Sequence, residues 1–488
     1  METKLLKKGR VGLMVVGHKE YWPQFAGARE GHLRNGEMLA EELGRNDVEV
    51  VLFHNAGGDQ MVDSPEIARE AGAYFRAQGV DLLFVLVPAY AASGRFLLGL
   101  LEAGCPVIPM SFQCQYDIAR TKMVDGMQVG GICALMEAVQ ALRRCGVEPA
   151  DILFGRMYPE TRRFDQHLTR ELSDWCRVAC ALRALRGAVF GSLGHTYEGM
   201  LDMNYDPTAF TRTYGIHIRY VEMCELVRYV DETTDDEVRR KVAEIASIFD
   251  FLDASYDPVT AGIGSEDVEW AARCAVGLDK LVERNGLSGL AYYYEGLDNQ
   301  YERVASNLII GNSLLTSRGV SLAGEHDMKT CVAMYVMSAL GCGGSFAETC
   351  GVDFEANQFL VGHDGPHDIR IADGRPTIRG LGLYHGKRGH GISVEFSLKK
   401  GPMTMLGTGV DVNGQFTLTV AEVESVDGPL PQTGNTMTRA KVDGDVSRFF
   451  EDWCWANNNH HCALSIGHNG ALIDKFGRAM GIPVRRVR

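Results

Sequence analysis

The chain has 488 residues, 45% hydrophobic and 23% charged, with a formal net charge of −14. That length exceeds one ordinary core and predicts several domains, and the composition is that of a soluble globular protein. The acidic balance, without any Lys/Arg-rich run, argues against a nucleic-acid partner, and no apolar run is long enough to span a bilayer.

The N-terminus, Met1-Glu2-Thr3-Lys4, runs into a strand-like segment without the apolar core of a signal peptide. Thirteen cysteines are scattered with no C-x-x-C pair, the pattern of reduced thiols in a cytoplasmic protein. Val11 to Val16 reads as a buried strand, Ala28 to Leu43 as a helix and Val48 to Phe53 as the next strand. Ser64-Pro65-Glu66 is a helix start: Ser caps, Pro takes the first helical position and an acid follows. Asp81 to Val87 is a continuous apolar run of the parallel-sheet kind. A helix over Ser93 to Glu102 and a strand over Val107 to Met110 complete a strand–helix repetition that predicts a doubly wound parallel sheet.

A second α/β region is expected over residues 126–354. Its strands are Ala188 to Phe190, Gly215 to Arg219 and Leu290 to Tyr294. Its helices are Asp235 to Phe251, Ser265 to Arg284, Arg303 to Leu314 and Met328 to Leu340. Beyond Phe359 short β runs dominate: Ile392 to Ser397, Met403 to Met405 and Gln415 to Val420, with turn signals at Gly401-Pro402 and Asn413-Gly414. They predict an antiparallel barrel or sandwich. Two helices, Val446 to Trp455 and Ala463 to Met480, are expected to close the chain. The reading is thus three domains: 1–125, 126–354 and 355–488.

Chemistry concentrates late in the chain. Gly324-Glu325-His326-Asp327-Met328-Lys329, Ser345-Phe346-Ala347-Glu348, Val361-Gly362-His363-Asp364-Gly365-Pro366-His367 and Asn457-Asn458-Asn459-His460-His461 supply two carboxylates and several imidazoles. Two Glu and two His suit a divalent ion of Mn²⁺ character that keeps positions open for substrate oxygens. Each residue alone also has a bland reading: Glu325 as a helix-start acid, Glu348 as a solvated loop acid, His363 as a structural histidine. His367 competes with His363. Adjacent residues point in different directions, so one of His460 and His461 is expected to bind metal and the other to touch substrate or a supporting acid. His385 and His390 read as solvated loop histidines. There is no G-x-G-x-x-G fingerprint, no phosphate-binding G-x-x-x-x-G-K-[ST] loop and no G-x-S-x-G elbow.

Together these four segments resemble the L-arabinose isomerase family, of the wider L-fucose/L-arabinose isomerase fold, over roughly residues 280 to 470. The resemblance implies an α/β fold with two Rossmann-like doubly wound domains plus a C-terminal antiparallel β-barrel domain. It implies a homotrimer or homohexamer with active sites between subunits. It also implies Mn²⁺, or another divalent ion such as Co²⁺ or Mg²⁺, held by Glu325, Glu348, His363 and His461. Glu325 and Glu348 would serve as acid and base in aldose–ketose isomerisation of a small sugar of the L-arabinose to L-ribulose type, through an enediolate or by a hydride shift. Tyr294, His460 and Lys19 are the expected substrate contacts, Lys19 on the segment lining a neighbouring subunit's pocket. The chain departs from the family's G-E-G-D-W-K at His326 and Met328, has Val129 where the family has histidine, and differs in the Gly17 to Trp22 loop. Two alternatives stand beside this reading: the same scaffold acting on an unusual or modified sugar, and a non-catalytic sugar-binding protein.

Overall fold

The computed structural model describes residues 8–114, 131–252, 260–295, 299–365, 367–381, 391–431 and 436–488. Val129, His385, His390 and the expected 125/126 boundary lie outside the described residues. The chain forms two units that meet in sequence at Ala184 and Leu185.

The N-terminal unit holds β1 (Gly9–Val16), β2 (Val48–Leu52), β3 (Met61–Val62), β4 (Leu82–Leu86), β5 (Val107–Gln113), β6 (Leu153–Tyr158) and β7 (Arg163–Phe164). They pair in the order β2-β1-β4-β5-β6-β7, with β3 also on β1. All of these pairings are parallel except the last, β6 with β7. Every residue of β4 is buried, as expected of a parallel strand covered on both faces. Ser64 caps the Pro65–Gln78 helix by accepting from the Ile67 amide. This unit extends past residue 125 because β6 pairs with β5, Met110 against Leu153. The expected first boundary therefore divides one sheet.

The second unit contributes β8 (Val189–Gly194), β9 (His217–Val221), β10 (Asp250–Phe251), β11 (Thr260–Ala261), β12 (Gly289–Tyr293) and β13 (Ser321–Ala323). Four of these form a parallel sheet in the order β13-β12-β8-β9. Three segments leave its carboxyl edge: residues 195–205 after β8, Tyr294 and Glu295 after β12, and Gly324 with Glu325 after β13. The carboxyl edge of a parallel sheet is where loops converge to build a site.

Then follow β14 (Ser345–Asp353), β15 (Gln358–His363), β16 (Thr377–Leu381), β17 (Gly391–Glu395), β18 (Gly401–Val410), β19 (Phe416–Val426), β20 (Thr436–Lys441), β21 (His461–Ile466) and β22 (Val484–Val487). Strands β10, β16, β11 and β17 make a small separate sheet. The large sheet runs β18-β21-β14-β15-β20-β19-β22, and β18 also pairs with β19. Its hydrogen bonding thus returns on itself through six strands, with β22 parallel to β19 at the outside. Its core holds Phe359, Met403, Met405, Val423 and Leu464.

Three expectations change here. The boundary at 354/355 separates β14 from β15, which are hydrogen-bonded partners with Val352 opposite Phe359; Glu348 accordingly sits on the antiparallel sheet rather than in an α/β domain. The second closing helix runs Gly470–Met480, and the residues from His461 to Ile466 before it are a strand. That strand is buried along nearly its whole length, so it shows none of the alternation that marks a half-exposed strand. The expected Arg303 to Leu314 helix is two, Gln300–Ala305 and Ile309–Ser317. No helix among the described residues is long and apolar enough to cross a membrane.

Candidate active site

Glu325 occupies the turn between β13 and the Met328–Ala339 helix. Its φ of 52° and that of His326, 63°, lie in the left-handed region. Two consecutive non-glycine residues there cost about 1–2 kcal/mol each and persist only where surrounding contacts hold them. The contacts are present. The Glu325 carbonyl accepts from the Tyr197 amide at 3.3 Å. The buried His326 ring places Nε2 2.8 Å from Ser192 Oγ and Nδ1 3.4 Å from Thr196 Oγ1. Burial pushes its pKa down to about 4, so the ring is neutral.

Glu348 stands on β14 directly opposite His461 on β21, and opposite Gly362 on β15. His363 follows as the last residue of β15, beyond the last pairing of that strand with β14. Gly362 is required by close packing: a Cβ there would lie 1.9 Å from the Thr436 carbonyl oxygen of β20. Phe346, fully buried two residues before Glu348, packs under both imidazoles, with ring centroids 4.7 Å from His363 and 4.5 Å from His461.

These pieces converge. Glu325 Oε1 is 3.8 Å from His363 Nε2, and Glu325 Oε2 is 3.5 Å from His461 Nε2. One ligand atom each from Glu348, His363 and His461 lie within 4.8 Å of one another, as do those of Glu325, His460 and His461. Glu325 Oε2 and His461 Nε2 are both buried without a hydrogen-bond partner. Atoms each about 2.1 Å from a common ion stand up to about 4.2 Å apart, so orphaned donors at these separations fit a divalent cation. For His363, burial opposes the charged form, but Asp364, Glu325 and Glu348 outweigh it and raise the pKa to about 9. Surroundings that favour a proton on the ring favour a cation beside it.

His461 is held by a residue absent from the expected set. Its Nδ1 lies 3.1 Å from Oδ2 of the fully buried Asp327. Asp327 also accepts from the Lys329 and Thr330 amides, from Thr330 Oγ1 at 2.7 Å and from Asn459 Nδ2 at 3.0 and 3.1 Å. Burial alone would raise its pKa, but the bonds from His461 and Thr330 hold it well below the usual carboxylate range. An anionic partner at Nδ1 keeps the hydrogen there and leaves the Nε2 lone pair facing Glu325, the usual way a carboxylate orients a metal-binding imidazole. Asp327 also caps the Met328–Ala339 helix, a role that hides the second one from sequence reading. Asp364, with Oδ1 3.0 Å from His363 Nδ1, is the matching neighbour on the other imidazole.

The remaining expected residues are placed as follows. His367 turns Nε2 to the His363 carbonyl at 2.8 Å and Nδ1 to Ser345 Oγ, so both nitrogens are used in holding the loop. His460 is partly exposed and lies against Asp202. The Tyr294 ring packs on Tyr301 in an apolar cluster. Tyr293, on the other face of β12, meets Tyr197 at 5.0 Å and His195 at 5.6 Å and donates to Glu295 at 2.7 Å. Lys19 is exposed in the Lys19–Tyr21 turn after β1, in the N-terminal unit.

Residues 203–343 match the family model of the L-arabinose isomerase central domain, and residues 343–483 that of the L-arabinose isomerase C-terminal domain. An L-arabinose isomerase of Nocardioides sp. is 26% identical over 327 residues, 65% of this chain and 63% of that protein. One of Herpetosiphon aurantiacus is 25% identical over 328 residues, 65% of this chain and 64% of that protein. One of Clostridium beijerinckii is 20% identical over 440 residues, 88% of this chain and 85% of that protein. The chain thus spans somewhat under two thirds of the first two relatives' length.

Proposed function

This chain belongs to the L-arabinose isomerase family as a divergent member, and we propose that it interconverts an aldose and a ketose of the L-arabinose and L-ribulose type. The observation that carries the reading is the pair of buried, unpartnered atoms, Glu325 Oε2 and His461 Nε2, 3.5 Å apart. Simple sugar binding gives no reason to bury a carboxylate oxygen unpaired at such cost. Glu325, Glu348, His363 and His461 would hold a divalent cation of the Mn²⁺, Co²⁺ or Mg²⁺ type. When bound, such an ion supplies Lewis-acid stabilisation of negative charge on the sugar's oxygens.

The chain's own groups move the protons. One of Glu325 and Glu348 takes the proton from C2; the electrons of that bond form C1=C2 and the charge passes to O1, giving an enediolate. The other carboxylate carries the hydroxyl proton from O2 to O1. The first then returns its proton to C1, leaving the ketose carbonyl at C2. Phe346 keeps water from beneath the two imidazoles and holds their planes. The returning six-stranded circuit reads as the family's barrel. In this proposal the protein is cytoplasmic and assembles as a homotrimer or homohexamer whose Lys19 segment faces a neighbour's sugar. His326 and Met328, at the family's Gly and Trp positions, favour a second reading in which the same chemistry acts on an unusual or modified sugar.

The test is a product-resolved assay over pentoses, hexoses and 6-deoxy sugars with and without Mn²⁺, on the wild type and on Glu325→Gln and Glu348→Gln. Metal-dependent ketose formation, reduced by at least about a thousandfold in either variant, is expected, since each removes a proton-transfer group. Near-full activity in both variants refutes the assignment. The lack of any ketose from the whole panel refutes the isomerase reading.

A further inference from the structure

His460 and His461 are adjacent, their ring centroids 3.9 Å apart, yet their surroundings differ. His461 is fully buried, whereas the His460 side chain is 35% exposed. Each has its own carboxylate at Nδ1. For His460 that group is Asp202, whose Oδ2 lies 2.6 Å from Nδ1 and also accepts the His460 amide at 3.1 Å. One carboxylate oxygen thus grips both the ring and the backbone of His460. A carboxylate only accepts, so a ring hydrogen stands on Nδ1, and in the neutral ring Nε2 is the acceptor. A ring nitrogen of His460 is within 4.8 Å of ligand atoms of Glu325 and His461.

Asp202 is itself fixed. Its carbonyl accepts from Nζ of Lys329, a buried lysine two residues after Asp327. The same helical turn therefore sets His461 through Asp327 and His460 through Lys329 and Asp202. The segment carrying Asp202 is tied at its other points as well. Tyr205 donates to Ser192 Oγ at 3.0 Å, His326 meets Ser192 and Thr196, and the Tyr197 amide donates to the Glu325 carbonyl.

We propose that Asp202 is a positioning residue for substrate binding: it fixes the Nδ1–H form of His460, so that Nε2 accepts a hydrogen bond from a sugar hydroxyl beside Glu325. This rests on the isomerase reading for its substrate, but the imidazole arrangement stands independently of it. Asp202 and Asp327 then divide the work, Asp327 serving the cation through His461 and Asp202 serving the sugar through His460.

The experiment uses full-length Asp202→Ala and Asp202→Asn. Four quantities are measured: KM and kcat on L-arabinose with Mn²⁺, Mn²⁺ affinity by EPR titration, and the His460 ring ¹⁵N shifts, assigned by difference with His460→Gln. Asp202→Ala is expected to raise KM about five- to tenfold, the worth of one hydrogen bond, while kcat and Mn²⁺ affinity change less than about twofold. Asp202→Asn, whose amide oxygen still accepts, should recover most of that loss. The ¹⁵N shifts should show Nδ1–H in the wild type and a mixture in Asp202→Ala. An unchanged tautomer, an unchanged KM, or loss of Mn²⁺ affinity alongside KM would overturn the proposal. If the wild type turns over no sugar the isomerase reading fails, and the tautomer measurement alone decides the role of Asp202.

Discussion

Replacing Asp327 by asparagine isolates what a buried carboxylate does for His461, whose Nε2 lies 3.5 Å from Glu325. The amide oxygen can still accept from the Lys329 and Thr330 amides, because Asn caps helices about as well as Asp, so the Met328–Ala339 helix should persist. The other oxygen becomes an NH₂ group facing three donors: Thr330 Oγ1, Asn459 Nδ2 and His461 Nδ1. Thr330 can rotate. His461 escapes by shifting its hydrogen to Nε2 and accepting at Nδ1, which removes the lone pair aimed at Glu325. Losing such an orienting partner typically costs 10–100-fold in metal affinity, about 1.4–2.8 kcal/mol. Asn459, 2% exposed, keeps its 3.1 Å contact to the remaining oxygen and loses the one at 3.0 Å, about 0.5–1.5 kcal/mol. The expected result is a folded protein, less stable by about 0.5–1.5 kcal/mol in urea, whose Mn²⁺ dissociation constant by EPR titration rises at least about tenfold. Asp327→Ala adds loss of the cap, about 1 kcal/mol more. Asp327→Asn binding Mn²⁺ within twofold of wild type, with the helix intact, would refute the orienting role.

Gly362→Ala should be strongly destabilising, because its Cβ meets the Thr436 carbonyl at 1.9 Å and pushes β20 from β15 beside His363; overpacking typically costs about 1–3 kcal/mol, read as a lower urea midpoint together with weaker Mn²⁺ binding. Phe346→Ala removes the surface under both imidazoles and should lower stability by about 3–5 kcal/mol; a smaller fall in metal affinity than in Asp327→Asn would show that the carboxylate, not the ring, sets the histidines. His32 in the N-terminal unit is 3% exposed, and burial lowers its pKa from 6.5 to about 4. The folded ring is neutral, so its contribution is fully present above pH 6.5 and is lost as pH falls toward 4. Between pH 7 and pH 5 that is about 2 kcal/mol, and His32→Gln should shrink the pH 7 to pH 5 difference in unfolding free energy by that amount; an unaltered difference contradicts the assignment.

The parallel sheets were legible because their strands are continuous apolar runs such as Leu82–Leu86, separated by capped helices such as Pro65–Gln78. Domain limits were less so. Strands β5 and β6 pair across an intervening helix, and β14 pairs with β15 across a short turn, and a change in local pattern carries no record of pairing. Strand β21 failed for the opposite reason: burial on both faces erased its alternation. At the site, Glu325, Glu348, His363 and His461 were legible as residue types with metal chemistry, and the structure brings their ligand atoms together. Tyr294, expected against the sugar, follows the last residue of β12 and packs its ring on Tyr301.

The residues that sequence reading missed share one property: each acts through a partner far along the chain. Asp327 and Asn459 are 132 positions apart, and Asp202 and His460 are 258 apart. Their local roles, a helix cap and a turn acid, already account for them, so nothing local announces the second role. Yet these residues separate two histidines that are neighbours in sequence and nearly in contact in space. Full burial and a buried carboxylate with five further hydrogen-bond contacts commit His461 to a fixed charge site. His460, by contrast, is partly exposed and held by a single aspartate on a tethered segment. On the proposal above the pair would divide cation holding from sugar recognition, and Asp202→Ala is the substitution that tests it, by raising KM while leaving Mn²⁺ affinity within about twofold.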